Sequence, residues 1–482
     1  MTARGIMGTM TTLHPLPIGA ERVTTADEIA VRAPYDGAEL GRVPAAGPSE
    51  VDAAVAAARR AMREPLPAYR RAEILDVAAT RLQQRHEEIA RSIAGEAAKP
   101  LRSARLEAAR AVGTFRFAAV EARTLAGDVI AMDGNDAGAD KLGFTLRVPI
   151  GVVGAISPFN FPLNLVAHKV APAIAAGCPV VLKPASQTPL TALLLAQILL
   201  DECELPPGWL NVVTGGGGTV GSALVDHDGV AMITFTGSPE VGWAIKARAP
   251  KKKVGLELGN NAPVIVEPDA DLELAATKIV TGGFGYSGQT CISVQRVYAH
   301  ELVRDELTDL VVSKVGRLVV GDPLDDDTDV SALIDVAERD RVTGWVDEAV
   351  AGGAKVAIGG SVAGGVLAPT VLTGVLPEMQ VCRGEVFGPV VGIAAYSTLD
   401  EAIGLSNDSC YGLQAAIFTR DLGAALTAAR SLEFGGVTIN EMPTFRTDQM
   451  PYGGIKDSGN TREGPHYAVR EMTEERMVVI QL

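Results

Sequence analysis

The 482-residue chain has few of the residues from which disulfide frameworks and metal sites are built. Its five cysteines are odd in number, widely spaced and without a Cys-x-x-Cys pair, and its six histidines are scattered. This pattern excludes a disulfide scaffold and a zinc site, and it is typical of the reducing cytoplasm. No run of about 18 apolar residues could cross a bilayer, and the N-terminal sequence lacks a signal-peptide core. We therefore expect a cytoplasmic protein without metal or membrane segment.

Positive charge is also scarce, because 43 Lys and Arg residues stand against 58 Asp and Glu residues, a formal net charge of −15. Such an excess of negative charge argues against nucleic acid or an anionic membrane as a partner. The length exceeds the roughly 250–300 residues at which a single core stops growing, so two or three domains are expected. The 52 glycines mark places where the backbone turns tightly or approaches a ligand.

Most of the chain alternates short apolar runs with helical segments. Residues 31–44 are predicted to form a hairpin that turns at Asp36-Gly37, and Ser49 with Asp52 suggests a capping box that opens a helical region reaching about residue 126. Strand-like runs rich in valine and isoleucine follow at 146–157, 179–183, 210–214 and 231–236, with one intervening helix predicted to start at Thr188 and Pro189. A second alternating block runs from 262 to about 430. This pattern predicts parallel sheets that are buried on both faces.

The C-terminal residues 474–482 form an apolar strand with no later strand to pair with. An unpaired strand edge promotes association with other chains. The tail is therefore predicted to complete a sheet in a neighbouring subunit.

Two glycine-rich turns are candidates for binding a dinucleotide. Residues 216–221 match Gly-x-Gly-x-x-Gly between a strand and a helix, although chance matches are common in a glycine-rich chain. In residues 235–242, Gly237 would let the backbone approach a phosphate and Ser238 would donate its hydroxyl at a helix N-terminus. An ordinary capped helix start would give the same pattern.

Two charged residues stand at the ends of apolar strands. Lys183 is placed to point into the crevice where parallel sheets bind ligands, or it is a solvated lysine at a strand end. Glu257 lies in an apolar strand between glycines, where burial would raise its pKa and suit it to act as a general base. A salt bridge between Glu257 and a lysine among residues 251–253 is the alternative.

Cys291 is distinguished from the other cysteines by the glycines that precede it, at positions 282, 283, 285 and 288. Backbone N–H groups left accessible by glycine can lower the pKa of a thiol and later bind an oxyanion. Cys178 and Cys410 are interpreted as buried apolar fillers, which is the usual role of free cysteine. The same role is open to Cys291, so from the residues alone a nucleophile and a filler both remain possible.

Seven motifs in one order resemble the aldehyde dehydrogenase superfamily over nearly the whole chain. They are SPFNFPLN (157–164), VVLKPASQTP (180–189), FTGS (235–238), LELGN (256–260), GQTC (288–291), EVFGPV (385–390) and PYGGIKDSG (451–459). The resemblance implies an α/β fold with two Rossmann-like parallel-sheet domains and a small β oligomerisation element. It implies a dinucleotide-binding domain (1–124 and 147–257), a catalytic domain (258–445) and an oligomerisation element (125–146 and 460–482) in a homodimer or homotetramer.

The resemblance also implies roles for individual residues. Cys291 would be the nucleophile, Asn160 an oxyanion donor together with the Cys291 N–H, and Glu257 the base for the hydrolytic water. NAD or NADP would be held by Lys183 at the adenosine ribose, Gly237 and Ser238 at the pyrophosphate, Glu385 at the nicotinamide ribose and Phe387 beside the nicotinamide. Further cofactor contacts are implied for Ile156, Ser157, Pro158, Ser186, Gly217, Thr236 and Leu258. Many NAD-preferring members have glutamate where this chain has Ser186, which would not repel a 2′-phosphate, so NADP is as open as NAD.

The implied reaction is NAD(P)-dependent oxidation of a short, polar or anionic aldehyde to the acid through a cysteine thioester. The substrate pocket would be formed by Arg110, Phe161, Asn164, Thr290, Ile292, Phe445 and Arg446. The sequence around residue 446 resembles the branch of lactaldehyde, succinate-semialdehyde and phosphonoacetaldehyde dehydrogenases, although Thr290 replaces an arginine of the last group. Arg110 or Arg446 could bind an anionic tail, or either could be a surface or interdomain arginine. A coenzyme A-acylating enzyme and a noncatalytic relative are the alternative functions.

Overall fold

The computed structural model describes residues 12–482. The strands are β1 (Leu16–Ile18), β2 (Glu21–Val23), β3 (Glu28–Arg32), β4 (Glu39–Pro44), β5 (Val129–Ile130), β6 (Lys141–Pro149), β7 (Val152–Ile156), β8 (Val180–Lys183), β9 (Leu210–Val212), β10 (Val230–Thr236), β11 (Lys253–Glu257), β12 (Ala262–Val266), β13 (Val294–His300), β14 (Lys355–Ile358), β15 (Val362–Ala363), β16 (Val366–Leu367), β17 (Thr370–Thr373), β18 (Val390–Tyr396), β19 (Gln414–Phe418), β20 (Gly436–Ile439) and β21 (Thr473–Gln481). The helices are α1 (Pro48–Ala61), α2 (Ala68–Gln84), α3 (His86–Ala97), α4 (Leu101–Thr124), α5 (Asn164–Ala176), α6 (Leu190–Gln197), α7 (Ser222–Asp226), α8 (Pro239–Arg248), α9 (Leu272–Phe284), α10 (Arg304–Val315), α11 (Val336–Ala351), α12 (Gln380–Arg383), α13 (Leu399–Asn407), α14 (Leu422–Ser431) and α15 (Pro465–Glu471).

The first large sheet has five parallel strands in the order β11-β10-β7-β8-β9. Strands β7, β8 and β9 are buried along their whole length, as their unbroken apolar sequences predict. Helix α5 is buried at every position although it contains His168 and Lys169. The pairing register brings Ile156 beside Lys183 and Thr236 beside Glu257, so all four residues end their strands at the carboxyl edge of the sheet.

The second large sheet has seven strands in the order β14-β17-β18-β13-β12-β19-β20, all parallel except β14. Successive residues of β12 point to opposite faces, so that Val264 and Ile265 enter separate apolar clusters. Both faces are therefore covered, which confirms the predicted α/β class with parallel sheets.

The third sheet is small and antiparallel, in the order β21-β6-β5. The C-terminal strand pairs with β6 of its own chain, from Thr473 opposite Pro149 to Gln481 opposite Lys141. This partner was not identified from the sequence, because β6 precedes the tail by more than 300 residues and pairing at that distance leaves no local signal. The contact with a neighbouring subunit stays a prediction. Many apolar side chains of this sheet are exposed, namely Val129, Ile130, Leu142, Leu146, Met477, Val479 and Ile480.

Several local predictions are confirmed and others are corrected. The hairpin of β3 and β4 and the helical region up to Thr124 are present. Residues 146–157, predicted as one strand, are divided between β6 and β7 at Gly151, whose φ of +136° is open to glycine but rarely to other residues. The cap of α1 is Gly47, whose N–H donates to Glu50 Oε2 at 2.7 Å, and not Ser49 with Asp52.

Two further sequence predictions shift or fail. Helix α6 begins at Leu190 with Pro189 as its cap, one residue later than predicted. Cys178 is buried as expected, whereas Cys410 is exposed in the loop after α13 and is not an apolar filler.

The predicted domain limits stay predictions. The seven-stranded sheet lies within residues 258–445, whereas β6 continues to Pro149, past the predicted limit at residue 146. Residues 1–11 lie outside the described residues, so the start of the first predicted domain segment and the predicted absence of a signal peptide are not tested. From residue 12 onward, no helix is long and apolar enough to cross a membrane, and no set of Cys, His, Asp and Glu side chains is grouped to hold a metal ion.

Candidate active site

The candidate active site lies between the two large sheets. Residues at the carboxyl edge of the five-stranded sheet meet the loops that lead into β12, β13 and β18. Asn160, which follows β7, donates from Nδ2 to the carbonyl oxygen of Gln289 at 2.9 Å. The N–H of Asn260 donates to Glu385 Oε1 at 3.0 Å. These bonds join loops that are far apart in sequence, and they bring the motifs containing Asn160, Cys291 and Glu385 together.

Cys291 follows a strained turn. Tyr286 and Ser287 have φ values of 52° and 54°, in the left-handed region that non-glycine residues rarely adopt. Their hydroxyl groups secure the turn by donating to the carbonyl oxygens of Ala97 and Ser331, at 3.1 and 2.8 Å. Gly288 is required here because a Cβ at this position would lie 2.1 Å from the Gly388 carbonyl oxygen. Strain held by surrounding bonds is frequent at functional sites.

The surroundings of the Cys291 thiol act on its pKa in opposite directions. Burial raises the pKa to about 12, and the carboxyl groups of Glu385 and Glu257 add to the increase. A hydrogen bond with the Tyr452 hydroxyl, 2.8 Å from Sγ, and the charge of Arg446 lower it. Among the described residues, the backbone N–H of Cys291 has no acceptor, so it is available to bind an oxyanion.

Cys291 and Asn160 line one cleft of about 390 Å³. The Asn160 amide has a second Nδ2 proton besides the one given to Gln289, and its Oδ1 is buried without a partner. The cleft therefore contains a sulfur nucleophile and two N–H donors, which is the set needed to form and stabilise a tetrahedral alkoxide.

Glu257 ends β11 with only 2% of its surface exposed, and neither carboxyl oxygen has a hydrogen-bond partner among the described residues. The alternative of a salt bridge with a lysine among residues 251–253 is not found, since Lys253 binds the Glu471 carbonyl oxygen and contacts Glu474. Burial and the nearby negative charge of Glu463 raise the pKa of Glu257 well above its usual value. A carboxyl group with a raised pKa is suited to accept a proton near neutral pH.

Beside Glu257 lies a buried cluster of charged groups that the sequence analysis mostly missed. Glu463 contacts Lys169 at 3.4 Å and Arg446 at 3.0 Å. Burial opposes ionisation of Glu463, but these two cations lower its pKa below the usual value. The signal for Lys169 was a charged residue within the otherwise apolar helix α5. Glu463 stands in a glycine-rich loop and gave no such signal.

The cofactor residues predicted from the resemblance fall mainly on two clefts. Ile156, Lys183 and Gly217 line a cleft of about 470 Å³ against helix α8. Pro158, Thr236, Gly237, Ser238, Leu258, Glu385 and Phe387 line the cleft that contains Cys291. Ser157 and Ser186 line neither cleft, and Ser186 Oγ donates to the Gly215 carbonyl oxygen at 2.9 Å.

These clefts have the properties that a dinucleotide requires. Ser238 caps α8 by accepting from the Val241 N–H, so the positive end of this helix opens on the cleft. Burial lowers the pKa of Lys183 to about 8, and its ammonium group donates to the Pro184 carbonyl oxygen. Gly217 and Gly218 have open space where a Cβ would lie, so the formal glycine motif contributes to the wall of the first cleft.

Charged residues that the sequence analysis did not select also line the clefts. Glu338 and Arg341 of α11 lie beside Glu385 and Phe387, and Arg341 donates to the Val386 carbonyl oxygen at 2.8 Å. Arg248 lines the first cleft and is paired with Asp226. All three lie on helices whose residues are mostly exposed or half-buried, where charged residues are expected and therefore uninformative.

Two of the predicted substrate residues, Arg110 and Asn164, belong to a second group of polar residues around Asp448. Arg110 and the Asn164 amide donate to Asp448 Oδ1 at 2.9 and 3.2 Å, and His168 Nε2 lies 3.0 Å from the same oxygen. Arg446 Nη2 lies 3.2 Å from His168 Nε2, which links this group to Glu463.

The remaining predicted substrate residues are less closely connected. Ile292 packs with Leu413 and Tyr452 beside Cys291, Thr290 is half-buried and Phe445 is exposed. Phe161 packs edge-on against the Tyr286 ring. The ammonium group of Lys99 lies 3.5 Å from the centre of the Phe161 ring and 4.3 Å from that of Tyr286. The loops of Asn160 and Cys291 are therefore joined through one buried cation.

Comparison with known proteins identifies the family. The model of the aldehyde dehydrogenase family matches residues 22–478. A 3-sulfolactaldehyde dehydrogenase of Priestia aryabhattai is 46% identical over 469 residues, covering 97% of this chain and 98% of the relative. The NADP-dependent glyceraldehyde-3-phosphate dehydrogenase of Bacillus halodurans, solved with NADP, is 39% identical with a TM-score of 0.95, covering 98% of this chain and all of the other. Aldehyde dehydrogenase 21 of Physcomitrella patens, solved with its product succinate, is 40% identical with a TM-score of 0.94, covering 98% and 99%.

These similarities confirm the predicted fold and enzyme class, an oxidoreductase that acts on the aldehyde group with NAD or NADP. The noncatalytic alternative is thereby set aside. From its seven motifs, its fold and these matches, the chain belongs to the aldehyde dehydrogenase family.

Proposed function

We propose that this enzyme oxidises a short aldehyde with one negative charge on its tail to the carboxylic acid, with NAD or NADP as hydride acceptor and water as acyl acceptor. The main support for an anionic tail on the substrate comes from two arginines. The Nε–H groups of both Arg110 and Arg446 are buried without a hydrogen-bond partner among the described residues. An unpaired buried donor costs free energy, so a ligand that supplies an acceptor is favoured.

The charge balance of the cluster supports the same conclusion. Arg110, Arg446 and Lys169 supply three cations, whereas Asp448 and Glu463 supply two anions. His168 remains neutral because burial and Arg446 lower its pKa, and the pKa of Glu257 is raised. One positive charge is left uncompensated, and Arg110, with 28% of its side chain exposed against 6% for Arg446, is the more accessible of the two arginines.

The substrates and products of the similar proteins are consistent with an anionic group on a short chain. They include a sulfonated aldehyde as one substrate, a phosphorylated aldehyde as another and succinate as a product. Sulfonate, phosphate and carboxylate share oxygen acceptors that match the fork of an arginine side chain.

The mechanism follows from the groups in the cleft. The Cys291 thiolate adds to the aldehyde carbon, and Asn160 Nδ2 and the Cys291 N–H stabilise the alkoxide that forms. The residues that line the two clefts would hold NAD or NADP, which when bound would supply the hydride acceptor. Loss of hydride from the carbon leaves a thioester on Cys291. Glu257 then accepts a proton from water, which attacks the thioester and releases the acid.

Water is proposed as the acceptor because Glu257 is buried, unpaired and close enough to perturb the pKa of Cys291. In the alternative coenzyme A-acylating reaction, a thiol would attack the thioester and no such base would be needed. Adding coenzyme A during turnover distinguishes the two. We expect the free acid with no acyl-coenzyme A, and formation of acyl-coenzyme A would favour the alternative.

Changing Arg110 to glutamine tests the anionic tail. Hydrogen bonds to charged groups contribute about 1.5–3 kcal/mol, so kcat/KM for succinate semialdehyde is expected to fall about 10- to 100-fold. Turnover of butyraldehyde, which has the same chain length without the charge, should change less than about threefold. Arg116→Gln on the same helix is the matched control, since Arg116 is exposed and bonded to Gln83. Equal losses for both aldehydes would contradict the proposal.

Changing Ser186 to glutamate tests the choice between NAD and NADP. A carboxylate beside the adenosine ribose repels a 2′-phosphate, so kcat/KM with NADP is expected to fall about tenfold or more while that with NAD is maintained. Ser186→Ala, which removes the hydroxyl without adding charge, is the control. If the glutamate variant used both cofactors as the unchanged enzyme does, Ser186 would not border the 2′ position.

The assembly and the location are also proposed. Exposed apolar side chains on the β21-β6-β5 sheet support a homodimer or homotetramer, because an apolar antiparallel sheet left bare tends to associate. Five free thiols support the cytoplasm as the site of action. The net charge of −15 supports a small-molecule substrate without nucleic-acid or membrane partners.

A further inference from the structure

We infer that Tyr452 is a further catalytic residue, whose hydroxyl group donates a hydrogen bond to the sulfur of Cys291 and stabilises the reactive thiolate. The inference rests on the proposed role of Cys291 as the nucleophile. It goes beyond that role, because it assigns the group that prepares the sulfur for attack. The main evidence is the distance of 2.8 Å between the Tyr452 hydroxyl oxygen and Cys291 Sγ.

The position of the Tyr452 side chain is strongly constrained. Its backbone N–H donates to the Glu463 carbonyl oxygen at 3.1 Å, and the Glu463 N–H donates back to the Tyr452 carbonyl oxygen at 2.6 Å. The ring is buried against Ile292 and Leu413. The Arg446 guanidinium lies 3.8 Å from the ring centre. A side chain held on its backbone and on its ring presents the hydroxyl at one fixed place, so bonding to the sulfur requires no reordering.

The direction of the hydrogen bond follows from the protonation states. Burial, together with the charge that develops on Cys291, raises the pKa of the Tyr452 phenol well above its usual value. The phenol therefore keeps its proton at neutral pH and can donate it in a hydrogen bond. A thiolate has no proton and can only accept. When the thiol ionises, its own proton passes to water and Tyr452 remains neutral.

Four neighbouring groups change the pKa of the Cys291 thiol, two raising it and two lowering it. Glu385 and Glu257 disfavour the thiolate, whereas Tyr452 and Arg446 favour it. Glu385 lies in the cleft and Glu257 is the proposed base, so both carboxyl groups are needed nearby. Tyr452 and Arg446 offset their effect on the nucleophile, and of these two only Tyr452 touches the sulfur.

Tyr452→Phe removes one oxygen atom and leaves the ring and the Arg446 contact in place. The probe is iodoacetamide, which forms a sulfur–carbon bond with the thiolate while iodide leaves. Below the thiol pKa, the rate of alkylation follows the thiolate fraction and rises tenfold per pH unit. Loss of a hydrogen bond to a charged group raises the thiol pKa by about one unit or more. We expect alkylation of Cys291 to slow about three- to tenfold at every pH between 6 and 9, since a more basic thiolate is also more nucleophilic.

Tyr298→Phe is the matched control. Tyr298 is another buried tyrosine, on β13, and its hydroxyl donates to the carbonyl oxygen of Leu405 on α13, without contact to Cys291. Its removal should leave the alkylation profile unchanged. Site-specific replacement of Tyr452 by 3-fluorotyrosine, a more acidic phenol and a stronger donor, should instead speed alkylation. This second substitution keeps the hydroxyl, so it tests the inference independently of any effect of Tyr452→Phe on folding.

The outcomes separate this inference from the proposed function. Alkylation of the Tyr452→Phe protein at the unchanged rate, or no response to 3-fluorotyrosine, would overturn the inference alone. Persistence of fast alkylation in Cys291→Ala would show that another thiol is labelled and would overturn the proposed nucleophile together with the inference. A slower Tyr452→Phe reaction with an unchanged Tyr298→Phe reaction supports it.

Discussion

Changing Cys291 to alanine is expected to lower kcat for aldehyde oxidation by on the order of 10⁴-fold or more, because the thioester can no longer form. Formation of NADH or NADPH with a short aldehyde measures this loss. Binding of the cofactor should be retained, since the predicted cofactor residues lie on strands and loops that do not depend on the thiol. Loss of activity with intact cofactor binding would place the defect in chemistry.

Cys382→Ala is the control for the loss of a thiol. Cys382 is also half-buried, but it lies in α12 and packs against an apolar cluster that includes Val386 and Val390. Its replacement should leave kcat within about twofold. An active Cys291→Ala enzyme would refute the covalent mechanism, and an inactive Cys382→Ala enzyme would show that thiol loss disturbs the fold in general.

Glu257→Gln is expected to separate the two halves of the reaction. The amide has the shape of the carboxyl group but cannot accept a proton, so steady-state kcat should fall about 10²- to 10⁴-fold through slow hydrolysis of the thioester. The first half should persist as a burst of close to one equivalent of NADH or NADPH per active site. Rapid mixing measures the burst, and the mass of the intact protein should show the acyl group on Cys291.

The proposed role of Glu257 as the base also predicts the direction in which the rate of hydrolysis changes with pH. Glu257 acts as a base only when ionised, and burial with Glu463 nearby raises its pKa. Hydrolysis should therefore increase as the pH rises through this raised pKa, and this limb should be missing in Glu257→Gln. Glu471→Gln is a suitable control, because Glu471 is half-buried and also has a raised pKa but is bonded to Thr461. Absence of a burst in Glu257→Gln would mean that Glu257 acts before the thioester forms.

The sequence motifs predicted the main residues of the site, because each motif combines a reactive residue type with a characteristic position in the backbone. Lys183 and Glu257 end apolar parallel strands, and such strands deliver their last residues to one edge of a sheet. Cys291 follows glycines, of which Gly288 adopts a positive φ against a neighbouring carbonyl group. These features depend on residues that are neighbours in the chain, so they can be recognised in the sequence.

The roles of Tyr452 and Glu463 could not be predicted in the same way, although Tyr452 lies in the motif of residues 451–459. Both lie in irregular segments without a periodic pattern, and their environment comes from Cys291, Lys169 and Arg446, which are distant in the chain. The partner of β21 was missed for the same reason, since β6 lies far earlier in the sequence.

The sequence by itself determined the family, the enzyme class, the alternation of strands and helices, and the identity of the reactive residue types. Only the tertiary structure decided which groups lie against the sulfur, which carboxyl group remains unpaired and which arginine keeps an accessible face. The physical reason is that apolar periodicity and tight turns act between neighbours in the chain. The protonation of a buried group is instead set by desolvation and by charges that folding brings within a few ångströms of it.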